Sequence, residues 1–250
     1  MSLKTERRTA EKSVPIVYRV FLGISMPLLI ISVIFFSIML CADDENWVRK
    51  EYEKLDLASR IGMNTDDICL AFRCMVDYME GKRDDLSLTV EYYGKETEMF
   101  NGREISHMQD VRRLYRSVEI FSIASAVTAA AGIALGFAVE RKAALARLRK
   151  YYLTAFICVF LFAAVIGIWA AIDFNSLWYA FHYVFLDVES STFDLTASRM
   201  IRICPSVLFR DMVKRIIVTA LSVLSILGAV LIIANDPRSE KAAIGIKRRK

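Results

Sequence analysis

The sequence predicts a mainly α-helical polytopic membrane protein, with four transmembrane helices and extracytoplasmic segments holding a β-hairpin and interfacial amphipathic helices. Three observations predict it. First, 55% of the 250 residues are hydrophobic, more than an ordinary soluble domain carries. Second, the excess is gathered into four blocks, 17–42, 118–139, 153–172 and 216–234. Each has roughly the 20 residues needed to cross about 30 Å of hydrocarbon. Third, Lys and Arg crowd one set of connections. The chain reads as a single membrane domain over 1–250, with outer segments 43–117 and 173–215.

The first block is apolar apart from small hydroxyls until Asp43-Asp44-Glu45 ends it. Arg7, Arg8, Lys12 and Arg19 lie before or at its start, as in a signal peptide. Its apolar run exceeds a signal h-region, however, and no A-x-A-like site follows. Leu40 is too bulky for Met39-Leu40-Cys41 to be a lipoprotein cleavage site. The block is read as a retained span.

Orientation follows from the basic residues near the span ends. Lys4 to Arg19 precede the first span, Arg141 to Lys150 join the second and third, and Arg238 to Lys250 follow the fourth. These segments share a side, so both termini are expected in the cytoplasm. The net charge of +5 is a topology signal, and no nucleic-acid partner is expected.

Within the first outer segment, 17 acidic residues stand against 12 basic ones. Thr65 to Met79 has apolar residues at helical spacing, with Asn64 or Thr65 as its cap. Leu86 to Phe100 has β-prone residues on both sides of Tyr93-Gly94-Lys95, which predicts a hairpin turning at the glycine. Asn101 followed three residues later by Glu104 is a helix start. A helix running unbroken from there into the second span places His107, Val111, Leu114 and Val118 within about 40° of each other. Arg112, Arg113 and Arg116 fall on the opposite side. Glu104 and Asp110 flank the His107 face, one turn away on either side.

The second span is rich in small residues and contains Gly132-x-x-x-Gly136, read as close packing within the bundle rather than dimerisation. After the third span, His182 stands among Trp178, Tyr179, Phe181, Tyr183 and Phe185. This is an aromatic belt at the membrane interface, and burial among rings is expected to keep the imidazole neutral. The stretch 192–215 alternates apolar residues with Arg199, Arg202 and Arg210, broken at Pro205. It is expected to lie in the interface.

Histidine is scarce: His107 and His182 are the only two, and both fall in outer segments. A packed histidine on an amphipathic helix and a belt residue would each explain one of them. Their common side of the membrane suggests that they meet. The five cysteines show no C-x-x-C and no zinc-like spacing. Cys69 and Cys74, five apart on one helix, point away from each other. The chain has no G-x-S-x-G, no H-E-x-x-H and no phosphate-cradling glycine loop, and its spans hold no charged pair marking an ion path.

Taken together, REISHMQDV (Arg103–Val111) before the second span and FHYVF (Phe181–Phe185) after the third resemble the lipoprotein intramolecular transacylases, four-span bacterial membrane proteins. The run FDLTASRMIRICPSVLFRDM (Phe193–Met212) resembles the same family's outer segment. It departs at Ser191-Thr192, where a tryptophan is expected, and at Ala197-Ser198, where an aspartate and a threonine are.

The resemblance implies an acyltransferase. It moves the sn-2 acyl chain of a diacylglyceryl-cysteine to the same cysteine's α-amino group, giving a lyso-form lipoprotein. The implied catalytic residues are His107 and His182, supported or oriented by Arg103, Glu104 and Asp110. Ester-to-amide transfer is downhill, so no cofactor and no metal is expected. The expected partners are diacylglyceryl-modified lipoproteins and membrane lipids, and the expected state is a monomer in the bacterial cell membrane with its site on the extracytoplasmic side. Two other readings stay open: a bis-histidine haem electron-transfer protein, and a non-enzymatic membrane interaction protein.

Overall fold

The computed structural model describes residues 15–140, 143–186 and 198–234. Its elements in chain order are α1 (Ile16–Ala42), α2 (Glu45–Lys54), α3 (Leu57–Ile61), α4 (Thr65–Glu80), β1 (Thr89–Tyr92), β2 (Lys95–Glu98), α5 (Gly102–Glu140), α6 (Ala144–Ile172), α7 (Phe174–Phe185), α8 (Arg199–Ile203) and α9 (Ser206–Ile233). Four of them, α1, α5, α6 and α9, are long and apolar enough to cross a membrane. The chain divides into two compact units. One takes the residues up to Ile34, Ser122–Ala164 and those from Ala220 on; the other takes Phe35–Phe121 and Val165–Thr219.

In the first unit, α1 buries a stripe at four-residue spacing, Tyr18, Leu22, Met26 and Ile30, as one face of a helix must. Leu148, Tyr152 and Ala155 of α6 and Leu224 of α9 complete this core. The Tyr152 hydroxyl donates to the Leu224 carbonyl, so the buried phenol keeps a partner where no water is at hand. Gly132 is the closest approach. A Cβ there would stand 2.6 Å from Ser25 Cβ, whereas at Gly136 the nearest atom, the Tyr18 hydroxyl, is at an ordinary 3.7 Å. The Gly-x-x-x-Gly pair thus serves packing within one chain. Elsewhere apolar side chains stay exposed, among them Ile157, Phe160, Leu161 and Phe162 of α6.

The second unit has an aqueous-style core. Val48 and Tyr52 of α2, Leu57 and Ile61 of α3, and Ile68, Ala71, Phe72 and Met75 of α4 pack with Val90, Met99, Phe100, Met108, Met200, Ile203, Leu208 and Met212. Asn64 caps α4 by accepting from the Asp67 amide at 2.8 Å. The hairpin pairs Tyr92 with Lys95, and Tyr93 and Gly94 both have positive φ, 49° and 74°. That is the two-residue turn whose twist suits a hairpin. The Tyr93 amide donates to the Gly62 carbonyl at 2.8 Å. Its ring covers Gly62 so closely that a Cβ there would lie 2.6 Å from ring atoms.

Two features go beyond what the sequence pattern predicts. No periodicity in the acidic stretch after the first span marks α2 and α3. From Ser206 on, the segment expected to lie in the interface is continuous with the fourth long helix. Pro205 stands at the break between α8 and α9, as expected, since it cannot continue a helix from the preceding turn but is tolerated just before a new one. The first turns of α9 bury Leu208 and Met212 in the core and are tied to α2. Lys54 pairs with Asp211 at 2.9 Å, and Arg215 pairs with Asp44. The part of that segment from 192 to 197 lies outside the described residues.

Candidate active site

The helix that carries His107 is fixed at its start by a reciprocal cap. Asn101 Oδ1 accepts from the amides of Arg103 and Glu104, each at 3.0 Å, while Glu104 Oε2 accepts from the Asn101 amide at 2.7 Å. The other carboxylate oxygen of Glu104, fully buried, accepts from Ser198 Oγ at 2.6 Å and from the Met200 amide at 2.9 Å. Ser198 in turn caps α8 through the Ile201 amide at 3.2 Å. One buried carboxylate thereby joins the starts of α5 and α8.

The 39 residues of α5 extend about 58 Å, roughly twice the hydrocarbon thickness. Its first four turns carry Arg103, Glu104, Asp110, Arg112, Arg113 and Arg116 and belong outside the lipid. The arginine side faces α4. Arg112 lies over the Tyr78 ring at 4.6 Å, and Arg116 donates to the Glu80 carbonyl at 3.3 Å. The opposite side presents His107.

After α6 the chain turns at Asp173, whose side chain caps α7 by accepting from the Ser176 amide at 3.0 Å. On α7, Trp178 stacks on Phe209 at 4.4 Å and meets the His182 ring edge-on at 4.7 Å, while Phe181 lies 5.6 Å from that ring. His182 Nδ1 sits 2.8 Å from the Trp178 carbonyl. A carbonyl only accepts, so Nδ1 carries the proton, and in the neutral ring Nε2 keeps its lone pair.

The two imidazoles come together. Their centroids are 5.9 Å apart and their planes differ by 8°. The burial expected of His182 falls instead on His107, which is 7% exposed. His182 is only half-buried, because Tyr179 and Tyr183, 74% and 75% exposed, point away from the protein as a membrane belt would. Burial pushes the His107 imidazole down to about 4; the neighbouring His182 adds to this and Asp110 opposes it. His107 is therefore neutral at any ordinary pH.

The other expected residues are spread around this pair. Asp110 is ion-paired to Arg113 and acts on the charge of His107. Arg103 has an exposed side chain at the first turn of α5. Glu104 is committed to the α8 junction described above, a contact spanning 94 residues that no local motif announces. All five cysteines are free thiols. Burial raises the pKa of Cys69 and Cys74 and lifts that of Cys204 to about 12, which makes poor nucleophiles of them. Among the described residues, no group of three His, Cys, Asp or Glu could hold a metal ion.

Comparison with curated proteins finds no match. Among solved structures, the chain is similar to the membrane-integral lipoprotein intramolecular transacylase Lit from Bacillus cereus, with a TM-score of 0.70 at 16% identity, covering 94% of this chain and 99% of that one. Two variants of that protein, with a histidine replaced by arginine or by alanine, match with TM-scores of 0.68 and 0.67, each at 14% identity. They cover 93% and 94% of this chain, and 98% and 96% of theirs. At that identity the likeness speaks for the fold. The model of the lipoprotein intramolecular transacylase Lit family matches residues 23–209, a span that includes both histidines, and so this chain belongs to the lipoprotein intramolecular transacylase family.

Proposed function

We propose that this membrane acyltransferase moves the sn-2 acyl chain of a diacylglyceryl-cysteine onto that cysteine's own α-amine, with His182 as general base and His107 as hydrogen-bond donor to the oxyanion. The observation that carries this reading is the paired imidazoles, with His182 Nδ1 committed to the Trp178 carbonyl. That commitment leaves Nε2 as the proton acceptor. The α-amine has a reference pKa of about 7.7–8.0, and a positioned imidazole nitrogen with a free lone pair can accept its proton as it attacks.

The step balances without a cofactor. As the amine attacks the ester carbonyl, its proton passes to His182 Nε2. The carbonyl oxygen becomes an oxyanion, which the neutral N–H of His107 stabilises. Collapse breaks the ester C–O bond, and the imidazolium of His182 returns the proton to the departing glyceryl oxygen. The products are an amide and an alcohol. Because the depressed pKa of His107 keeps it neutral, it acts by donating a hydrogen bond and not as an imidazolium acid. Donor and acceptor lie on one substrate molecule, so much of the orientation cost is met before binding, and no acyl-enzyme is needed.

The reading places the site on the extracytoplasmic face, with both termini in the cytoplasm and the protein acting as a monomer among membrane lipids. The basic connections support the orientation, and the location of Gly132-x-x-x-Gly136 in a single-chain core supports the monomer. The haem and scaffold readings gain nothing from an acyltransferase family. Conversion of a diacylglyceryl lipoprotein to its lyso-form by the purified protein tests the proposal.

A further inference from the structure

Next to the histidine pair, the second unit has a groove of about 420 Å³ lined by Asp110, Arg113, Leu114, Ser117, Phe185 and Leu186. It begins about one helical turn past His107 on α5 and one turn past His182 on α7. Half of its lining is apolar and half polar. The Asp110 side chain is 13% exposed, while that of its ion-pair partner Arg113 is 79% exposed. A pair whose cation stands in solvent is weakly held. Arg113 can swing away into solvent, while the largely buried Asp110 side chain stays.

We infer that Asp110 is a substrate-binding residue that takes the protonated α-amine of the diacylglyceryl-cysteine in place of Arg113 and holds it beside the imidazoles. The inference rests on the acyl-transfer reading above. At neutral pH an α-amine is mostly ammonium, so the substrate arrives as a cation on an apolar body, and one proton leaves this complex to solvent before the neutral amine attacks. The groove offers a carboxylate beside Leu114, Phe185 and Leu186. An ammonium–carboxylate contact in a partly dry site is a charge-assisted hydrogen bond, about tenfold to a hundredfold in affinity. The same contact rejects a lipoprotein whose amine is already acylated, because that amine carries no charge. It also favours release: once the amide has formed, Asp110 has no cation to hold, and Arg113 returns to it.

The test uses the full chain in detergent and a diacylglyceryl-cysteine peptide analogue with ether links in place of both esters, which cannot transfer. One form has a free α-amine and the other is N-acetylated; the affinity of each is measured by fluorescence anisotropy. Wild type is expected to prefer the free amine by about tenfold or more. Asp110→Asn is expected to bind both forms about equally, with its affinity for the acetylated form unchanged, which also reports that it is folded. Asp110→Glu restores the preference. A wild-type preference retained in Asp110→Asn, or absent from wild type, overturns the inference. If Asp110→Asn binds neither form, Asp110→Glu decides: preference supports the site, and its loss ends it. Conversion of the natural diacyl substrate by wild type is followed in parallel. Conversion with an unaltered preference in Asp110→Asn sinks this inference alone, whereas wild type that neither converts nor binds sinks the acyl-transfer reading with it.

Discussion

His107 and His182, 75 positions apart in a chain with no other histidine, hold their rings within 8° of parallel at a centroid distance of 5.9 Å. They share a site but not an environment: one is buried and one half-buried. The difference has a consequence for stability. An unfolded histidine titrates near 6.5, whereas burial holds folded His107 down to about 4. Between these values the unfolded chain binds a proton that the folded one refuses. Stability contributed by the neutral ring is therefore complete above about pH 6.5 and is lost as pH falls toward 4. At pH 5 the loss is on the order of 2 kcal/mol. Thermal unfolding of wild type and His107→Gln at pH 7.5 and 5 is the check, and wild type should lose more. Parallel losses would mean that residue 107 does not carry the effect.

Glu104 should matter more to architecture than to chemistry. Replacing it by Ala leaves Ser198 Oγ and the Met200 amide without this acceptor in a buried place, at about 1–3 kcal/mol for each group left unsatisfied, and opens the cap at the exposed Asn101. Glu104→Gln keeps one acceptor oxygen and should lose less. The ranking wild type, Gln, Ala in Tm is the expected outcome, and an unaltered Tm in Glu104→Ala would contradict the junction.

Much of this was local and therefore readable. The Asn101–Glu104 cap, the Tyr93-Gly94 turn and the four apolar blocks each depend on residues within a few positions of one another. The α2 and α3 helices were not read, because charged residues dilute their short apolar stripe of Val48, Tyr52, Leu57 and Ile61. The Nδ1 contact of His182 is an i−4 contact within a helix and lay within reach of sequence reasoning. The burial of His107 did not, since it depends on distant parts of the chain, His182 among them at 75 positions away. Nor did the departure at Ser198 reveal that its hydroxyl would both cap α8 and meet Glu104.

The two glycines of the small-residue span should separate. In Gly132→Ala the new methyl meets Ser25 Cβ at 2.6 Å, while in Gly136→Ala it meets the Tyr18 hydroxyl at 3.7 Å. Overpacking costs about 1–3 kcal/mol, so Gly132→Ala should lower Tm in detergent and Gly136→Ala should leave it nearly unchanged. Equal effects would remove the close approach of Gly132 from the account.

The orientation predicts that a single cysteine placed at residue 245, in a variant lacking the native cysteines, is protected from membrane-impermeant reagents in intact cells. One placed near residue 84, in the first outer segment, should be labelled. Labelling of residue 245 from outside would reverse the topology and move the site to the other face.

The most direct measurement is mass spectrometry of the N-terminal peptide of a diacylglyceryl lipoprotein after incubation with wild type, His107→Ala, His182→Ala, the double variant, and Cys69→Ser, Cys74→Ser and Cys204→Ser. Wild type and the serine variants should yield the N-acyl, monoacylglyceryl peptide. Each single histidine variant should lose about 10²–10⁴-fold in rate, and the double variant should show no conversion above background. Full conversion by the double variant, or an acyl chain trapped on one of the cysteines, would contradict direct transfer between the two imidazoles.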